Sequence, residues 1–257
     1  MSPRFTIITP CLNAESTIRD TVESVINQNI DDLEYIIIDG GSTDRTLNIL
    51  KEYGRYINIL ISEPDDGISD AFNKGIKLAS GDYIGIINAD DFYEPQILKH
   101  ISDLAQKGRP PDIIHGKLQY HSPSGHSYIE EPNLNKIWDY MTIFHPTMFI
   151  HYQTYKKIGT YRLDFHYAMD SEWVHRAVKS KASFAQSPRV ISNMRLGGHS
   201  HKNLYKSLRE FRHSAIMHGG SKLTTTFFLY RQLAIQSLIK VDIVKQLLLW
   251  LRQIKSR

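Results

Sequence analysis

Four continuous apolar runs set the rhythm of the first ninety residues: Phe5–Thr9, Tyr35–Asp39, Ile57–Ser62 and Tyr83–Asn88. They do not alternate with polar residues, which is the pattern of strands covered on both faces. The stretches between them, Ser16–Gln28, Thr43–Tyr53 and Ile68–Ala79, read as helices. Asn13 or Ser16 is placed to cap the first and Ser42 or Thr43 the second, while Gly67 and Gly81 punctuate the third. Strand–helix alternation of this kind predicts right-handed crossovers and an α/β fold with a mostly parallel central sheet flanked by helices.

Beyond Asp91 the pattern loosens. Glu94–Gln106 reads as a helix, and Asp112–Tyr120 with Ser127–Glu131 as a hairpin turning at Ser122–Gly125. Thr147–Ile150 is a short strand; Tyr152–Ile158 and Asp170–Lys179 are short helices. Lys202–His218 and Leu223–Ile254 are helical, broken at Gly219-Gly220. There is no internal repeat and no clear linker. The expected organisation is one body over residues 1–198 and a C-terminal helical extension over 199–257.

Composition narrows this picture. Of 257 residues, 41% are hydrophobic and 23% charged, which excludes a disordered or low-complexity chain. The single cysteine, Cys11, excludes an intramolecular disulfide and a cysteine-based zinc cluster. No apolar run approaches the roughly 18–20 residues of a membrane span. The opening MSPRFTIITP lacks a signal-peptide core, so a cytoplasmic protein is expected. The net charge of +4 hides an asymmetry: residues 1–198 carry 20 Lys+Arg against 25 Asp+Glu, and residues 199–257 carry 11 against 2. A basic tail suits an anionic surface, whereas the acidic body argues against nucleic acid as a partner. Apolar residues surround the tail helix on nearly all sides and its cations do not share one narrow face. Docking on the inner face of a membrane and packing as a dimer interface or core both remain open.

In open α/β sheets ligands bind beyond the carboxyl ends of the strands. Pro10, Asn13 and Glu15 follow the first run, and Asp39-Gly40-Gly41-Ser42-Thr43-Asp44 ends the second. Glu63-Pro64-Asp65-Asp66-Gly67 follows the third, and Asn88-Ala89-Asp90-Asp91 ends the fourth. Carboxylates gathered on one edge repel one another unless a cation or a proton compensates them, and a hard divalent cation with oxygen ligands is the natural partner. The first strand-to-helix turn, TPCLNAES, has no glycine, so the dinucleotide fingerprint fails where it must occur. The P-loop, the G-x-S-x-G elbow and H-E-x-x-H are also absent.

The segments FTIITPCLNAESTIRDTVESVINQ, EYIIIDGGSTDRT and GISDAFNKGIKLASGDYIGIINADD, in this order and spacing, resemble glycosyltransferase family 2 with its GT-A fold. HPTMFIHYQTYKKIGTYRLDFHYAMDSEWVHRA resembles the acceptor-side and catalytic-base region of that family, and the likeness spans about residues 4–180. The resemblance implies a nucleotide-binding half over 1–91 and an acceptor-side half over 92–198. It implies that Asp39 accepts the imide N–H of a uracil or thymine ring, with Pro10, Asn13 and Glu15 beside the nucleoside. The family's D-x-D motif stands here as Asn88-Ala89-Asp90. Asp90 is then the ligand of Mn²⁺ or Mg²⁺, Asp91 a further metal ligand, and Asn88 a partner for ribose or a metal-bound water that adds no charge. Asp170 is implied as the base that deprotonates the acceptor, with Glu172 in reserve. Apart from the resemblance, the Gly-rich segment Gly197-Gly198-His199-Ser200 reads either as a flap that closes over the diphosphate, with His199 touching phosphate or metal, or as a turn before the next helix.

Each assignment has a structural counterpart. Asp39–Asp44 is equally a strand-to-helix turn, Asp90 and Asp91 solvated loop acids, and Asp170 a helix cap. Asp65 and Asp66 read as turn formers, His145-Pro146 as a loop element or an acceptor subsite, and Trp173 as core. The reading that results is an inverting, metal-dependent transferase. It moves a sugar from a nucleoside diphosphate sugar, UDP being expected, to a saccharide or polyprenyl-linked saccharide in bacterial surface-polysaccharide assembly. The rivals are a sugar nucleotidyltransferase and a non-catalytic, membrane-associated sugar-nucleotide binder.

Overall fold

A computed structural model describes residues 2–196 and 203–239, with side chains in the last helix described to residue 235. The first part runs β1 (Phe5–Cys11), α1 (Ile18–Ile26), β2 (Leu33–Asp39), α2 (Thr46–Glu52), β3 (Ile59–Ser62), α3 (Ile68–Leu78) and β4 (Tyr83–Ile86). Then come β5 (Phe92–Tyr93), α4 (Ile97–Ala105), the hairpin β6 (Ile113–His121) and β7 (Ser127–Glu130), β8 (Phe149–His151) and α5 (Tyr152–Ile158). The chain continues through α6 (Met169–Lys179), β9 (Phe184–Arg195), α7 (Leu204–His218) and α8 (Lys222–Ile239). The expected hairpin and the break between α7 and α8 are both present. The reading of helix beyond residue 239 lies outside the described residues.

One sheet carries all nine strands among the described residues, in the order β3-β2-β1-β4-β8-β6-β9-β5 with β7 paired to β6. The four early strands are mutually parallel. The later ones join in mixed sense: β8 is antiparallel to both β4 and β6, and β9 is parallel to β6. Successive residues of the early strands face opposite sides. Ile7, Tyr35 and Ile37 pack with α1, α2 and α4, while Ile8, Ile36 and Ile38 pack with α3 and Trp173 of α6. β1, β2 and β4 are covered on both faces and so need apolar residues throughout. The third run departs from that expectation: β3, at the sheet edge, alternates half-buried Ile59 and Ile61 with exposed Leu60 and Ser62. Gly75 of α3 lies so close to β1 that an added Cβ would stand 2.4 Å from Ile8. Trp173 is fully buried, as its core reading requires.

Two expectations about local structure fail. The side chains of Asn13, Ser16, Ser42 and Thr43 cap neither α1 nor α2. Asp44 takes that work at α2, its Oδ1 accepting from Thr46 N at 2.9 Å. The longest strand, β9, matches no element expected from the pattern, because FAQSPRVISNMR is polar and contains Pro188. Its irregular register with β6, shifting near His115 and Lys117, accommodates that sequence.

Candidate active site

The carboxyl ends of β1, β2 and β3 are level: Cys11 lies opposite Asp39, and Asp39 opposite Ser62. Asp39 is fully buried. Its Oδ2 accepts from Gly41 N at 3.2 Å, Ser42 N at 3.0 Å and Ser62 Oγ at 2.7 Å; its Oδ1 accepts from the Ser42 hydroxyl and from Cys11 Sγ at 3.6 Å. Gly41 has φ +87°, which folds two successive amides back onto the carboxylate. Burial works against the charge, but the bonds from Ser42 and Ser62 outweigh it and hold Asp39 below the usual carboxylate range.

The loops after β1 and β2 are stitched to each other. Asn13 Oδ1 accepts from Thr43 N at 2.9 Å, Glu15 Oε2 from Arg45 N at 3.0 Å, and Asp44 Oδ2 from Glu15 N at 3.0 Å. Pro10 is buried at the end of β1, while Asn13 and Glu15 are exposed on the loop that follows. Asp65 Oδ1 accepts from Gly67 N, as its turn-forming reading predicts.

The turn after β4 holds Asn88, Ala89, Asp90 and Asp91. It is fixed from behind by Thr21 of α1, whose hydroxyl donates to the Asp91 carbonyl at 2.6 Å. Arg195, at the end of β9, donates to the Asp90 carbonyl at 2.8 Å through Nη1 and to Asp91 Oδ1 at 3.3 Å through its backbone N. Its Nη2 reaches Asp20 at 2.5 Å. Asp91 is buried, and its Oδ2 has no partner. Burial, reinforced by the neighbouring Asp90 charge, raises its pKa well above the usual carboxylate range. Asn88 Oδ1 is likewise buried without a donor.

No three His, Cys, Asp or Glu side chains converge into a metal cage among the described residues. Mn²⁺ and Mg²⁺ do not need one, since they are held by one or two carboxylates with substrate phosphates and water supplying the rest. The half-buried Asp90, the unpartnered Asp91 Oδ2 and the unpartnered Asn88 Oδ1 are an all-oxygen set that fits such an ion. His199 lies outside the described residues.

On the other side, Asp170 is buried in the first turn of α6, with Oδ1 accepting from Ser171 N at 2.8 Å. Its Oδ2 stands 3.4 Å from His145 Nδ1, and His145 Nε2 is buried without a partner. The segment leading to Asp170 is pinned from two directions. Asn73 of α3 exchanges two bonds with the Tyr161 backbone, at 2.8 and 2.9 Å. Glu210 of α7 accepts from the backbone N–H of His166, Tyr167 and Ala168 at 3.2, 2.7 and 3.0 Å. Tyr120 of β6 is within electrostatic reach of both groups of acids. Burial pushes its phenol well above the usual range, and Tyr128, Glu130, Asp170 and Asp91 add to the shift.

Glu172 is not a reserve base. It is fully buried and pairs with Arg176 at 2.8 Å and His218 Nε2 at 3.1 Å, which makes it a tie between α6 and α7. Tyr120, Arg195 and Glu210 belong to no motif of the sequence. Glu210 does carry a signal: it is one of only two acids among residues 199–257.

The family model described as "Glycosyl transferase family 2" matches residues 6–174. The chain belongs to glycosyltransferase family 2. The match takes in both acid groups, from the end of β1 through Asp170. This transferase is 27% identical over 197 residues to the PGL/p-HBAD biosynthesis glycosyltransferase of Mycobacterium tuberculosis, covering 74% of its own chain and 75% of the relative. Its fold resembles S. aureus TarS 1–349 solved in complex with UDP-GlcNAc: TM-score 0.63, 17% identity, covering 88% of this chain and 70% of that one. It also resembles the mannosyltransferase PcManGT of Pyrobaculum calidifontis, solved with GDP-Man and Mn²⁺: TM-score 0.64, 17% identity, covering 90% and 69%. The mixed α/β architecture with a central sheet flanked by helices is the GT-A fold of these neighbours.

Proposed function

We propose that this transferase moves a sugar, with inversion at C1, from a nucleoside diphosphate sugar to a hydroxyl of a saccharide acceptor, free or carried on a polyprenyl lipid. UDP is the nucleotide we favour, and the cytoplasm, against the inner face of a membrane, is where we place the enzyme. Residues 1–91 serve as the nucleotide half, 92–198 as the acceptor half and 199–257 as an extension. The observation that carries the reading is that two acid groups, Asn88–Asp91 after β4 and Asp170 beside His145 at the start of α6, are both within electrostatic reach of Tyr120.

In this reading Pro10, Asn13, Glu15 and Asp39 line the nucleoside, and Asn88 and Ala89 face the ribose and diphosphate. Asp90, with Asp91 and His199, would hold a Mn²⁺ or Mg²⁺, which when bound would supply positive charge against the diphosphate. Asp170 takes the proton from the acceptor hydroxyl as that oxygen bonds to C1. The bond from C1 to the diphosphate oxygen breaks, and its electron pair leaves with the nucleoside diphosphate. His145 fixes the orientation of Asp170.

A sugar nucleotidyltransferase is disfavoured because TPCLNAES offers no Gly-rich loop with basic residues after β1. A screen of nucleotide sugars for released nucleoside diphosphate, with and without Mn²⁺, tests the proposal. Metal-dependent release from one donor supports it. Release of pyrophosphate instead, or no turnover of any nucleotide sugar with or without saccharide acceptors, counts against it.

A further inference from the structure

Helix α8 has two apolar faces, and the described part of the fold covers only one. Thr225, Phe228 and Leu229 are buried, and Phe228 stacks on Tyr140 with ring centroids 5.4 Å apart. On another side Leu223 is 83% exposed, Phe227 72% and Tyr230 65%. These positions are spaced four and three residues apart, so they form a single stripe along the helix. The stripe edges an open cleft of about 470 Å³ between α8 and the segment around Lys136, Asp139 and Tyr140. A second, uncovered apolar face on a helix calls for a second apolar neighbour.

Charge identifies that neighbour. Lys136, Lys222 and Arg231 flank the stripe, with Asp139 the one acid in the cleft. Residues 199–257 hold eleven Lys and Arg against two acids, and one of those acids, Glu210, is spent on the backbone of residues 166–168. Residues 240–257 repeat the composition, with five Lys and Arg, one Asp and the apolar run Leu247–Leu251. A second copy of this chain, docking by twofold symmetry, would set the same positive patch against itself. The chain's own residues 240–257 carry that sign too. An anionic bilayer accepts both features: the apolar stripe enters the headgroup boundary and the surrounding cations meet anionic lipid. No described helix is long and apolar enough to cross a membrane.

We propose that the Leu223–Phe227–Tyr230 stripe of α8 and its basic surroundings dock this enzyme on an anionic lipid surface, which deepens its placement against a membrane and stands apart from the transfer chemistry. The full chain is tested by co-sedimentation with vesicles of phosphatidylcholine alone and with phosphatidylglycerol added, neither containing a saccharide. Binding is expected only to the anionic vesicles and is released by raised salt. The double variant Leu223→Asp/Phe227→Asp is expected to bind at least about tenfold more weakly, both side chains being largely in solvent. Its melting temperature and its affinity for UDP are expected to be unchanged, so the outcome does not depend on the transfer reaction. Three results would overturn the proposal: no vesicle binding, equal binding to neutral and anionic vesicles, or binding indifferent to the double variant. A dimer in sedimentation equilibrium that the same double variant dissociates would overturn it as well.

Discussion

Nδ1 of His145 stands 3.4 Å from Oδ2 of Asp170, and both side chains are buried. The ring of His145 is held in turn by Phe72, with centroids 5.3 Å apart. As the base we propose, Asp170 is oriented by this imidazole contact. His145→Ala is expected to lower kcat by about ten- to a hundredfold with little change in KM for the donor. Steady-state kinetics against donor concentration check this. An equal loss in binding would place His145 with the nucleotide instead.

Glu210 joins the C-terminal extension to the segment that carries Asp170. Three backbone N–H groups share its carboxylate, so Glu210→Ala leaves three donors without their partner. It is expected to destabilise the fold by about 2 kcal/mol, and Glu210→Gln, which keeps the shape, by less. Urea unfolding measures both. kcat should fall in the same order if the clamp also sets the position of Asp170.

Much of this architecture can be read from the amino-acid pattern because burial on both faces of a parallel sheet leaves continuous apolar runs. β1, β2 and β4 are such runs, and the polar turn after each falls at one edge of the sheet by that pattern alone. β9 escapes it, since the strand mixes exposed polar residues with buried Ser187, Ser192 and Asn193. Its contribution to the site, Arg195, meets Asp90 across more than a hundred residues, and no local pattern announces a contact of that range. The same holds for the nearness of His145 to Asp170. The two residues sit in separate short motifs, and their meeting depends on how the turn at His145–Thr147 and the start of α6 come together in the fold.

The turn after β4 makes a prediction about charge. Asp90→Ala is expected to lower turnover on the order of a hundredfold or more and to blunt the response to added Mn²⁺. Asn88→Asp adds a negative charge beside Asp90 and Asp91 and should lower the Mn²⁺ concentration needed for half-maximal activity several-fold. Treatment with EDTA should abolish turnover and Mn²⁺ should restore it. Wild-type activity indifferent to EDTA would count against any part for the metal.

Two buried histidines make stability pH-dependent. Burial lowers the pKa of His115 to about 4, and its two ring nitrogens have no partner. Burial also lowers His175 to about 4, with the bond to the Ile137 carbonyl opposing the shift. In the unfolded chain both titrate near the ordinary histidine value, about 6.5. Above that pH neither state takes the proton. As pH falls from about 6.5 to about 4 only the unfolded chain takes it, and stability is lost, up to roughly 3 kcal/mol for each histidine. Melting temperatures measured across this range should fall. His115→Leu, which removes one titrating group and leaves no unpaired polar atom behind, should flatten the slope.

Nucleotide binding at the strand ends and proton removal at Asp170 are separate tasks in this enzyme as we propose it, so one variant should divide them. The decisive comparison pairs nucleotide-sugar turnover with UDP affinity by calorimetry in Mn²⁺, for wild type and Asp170→Asn. Turnover is expected to fall by about a thousandfold while UDP affinity stays within about twofold of wild type. Full activity in Asp170→Asn, or a loss of UDP affinity as large as the loss of turnover, would refute that division.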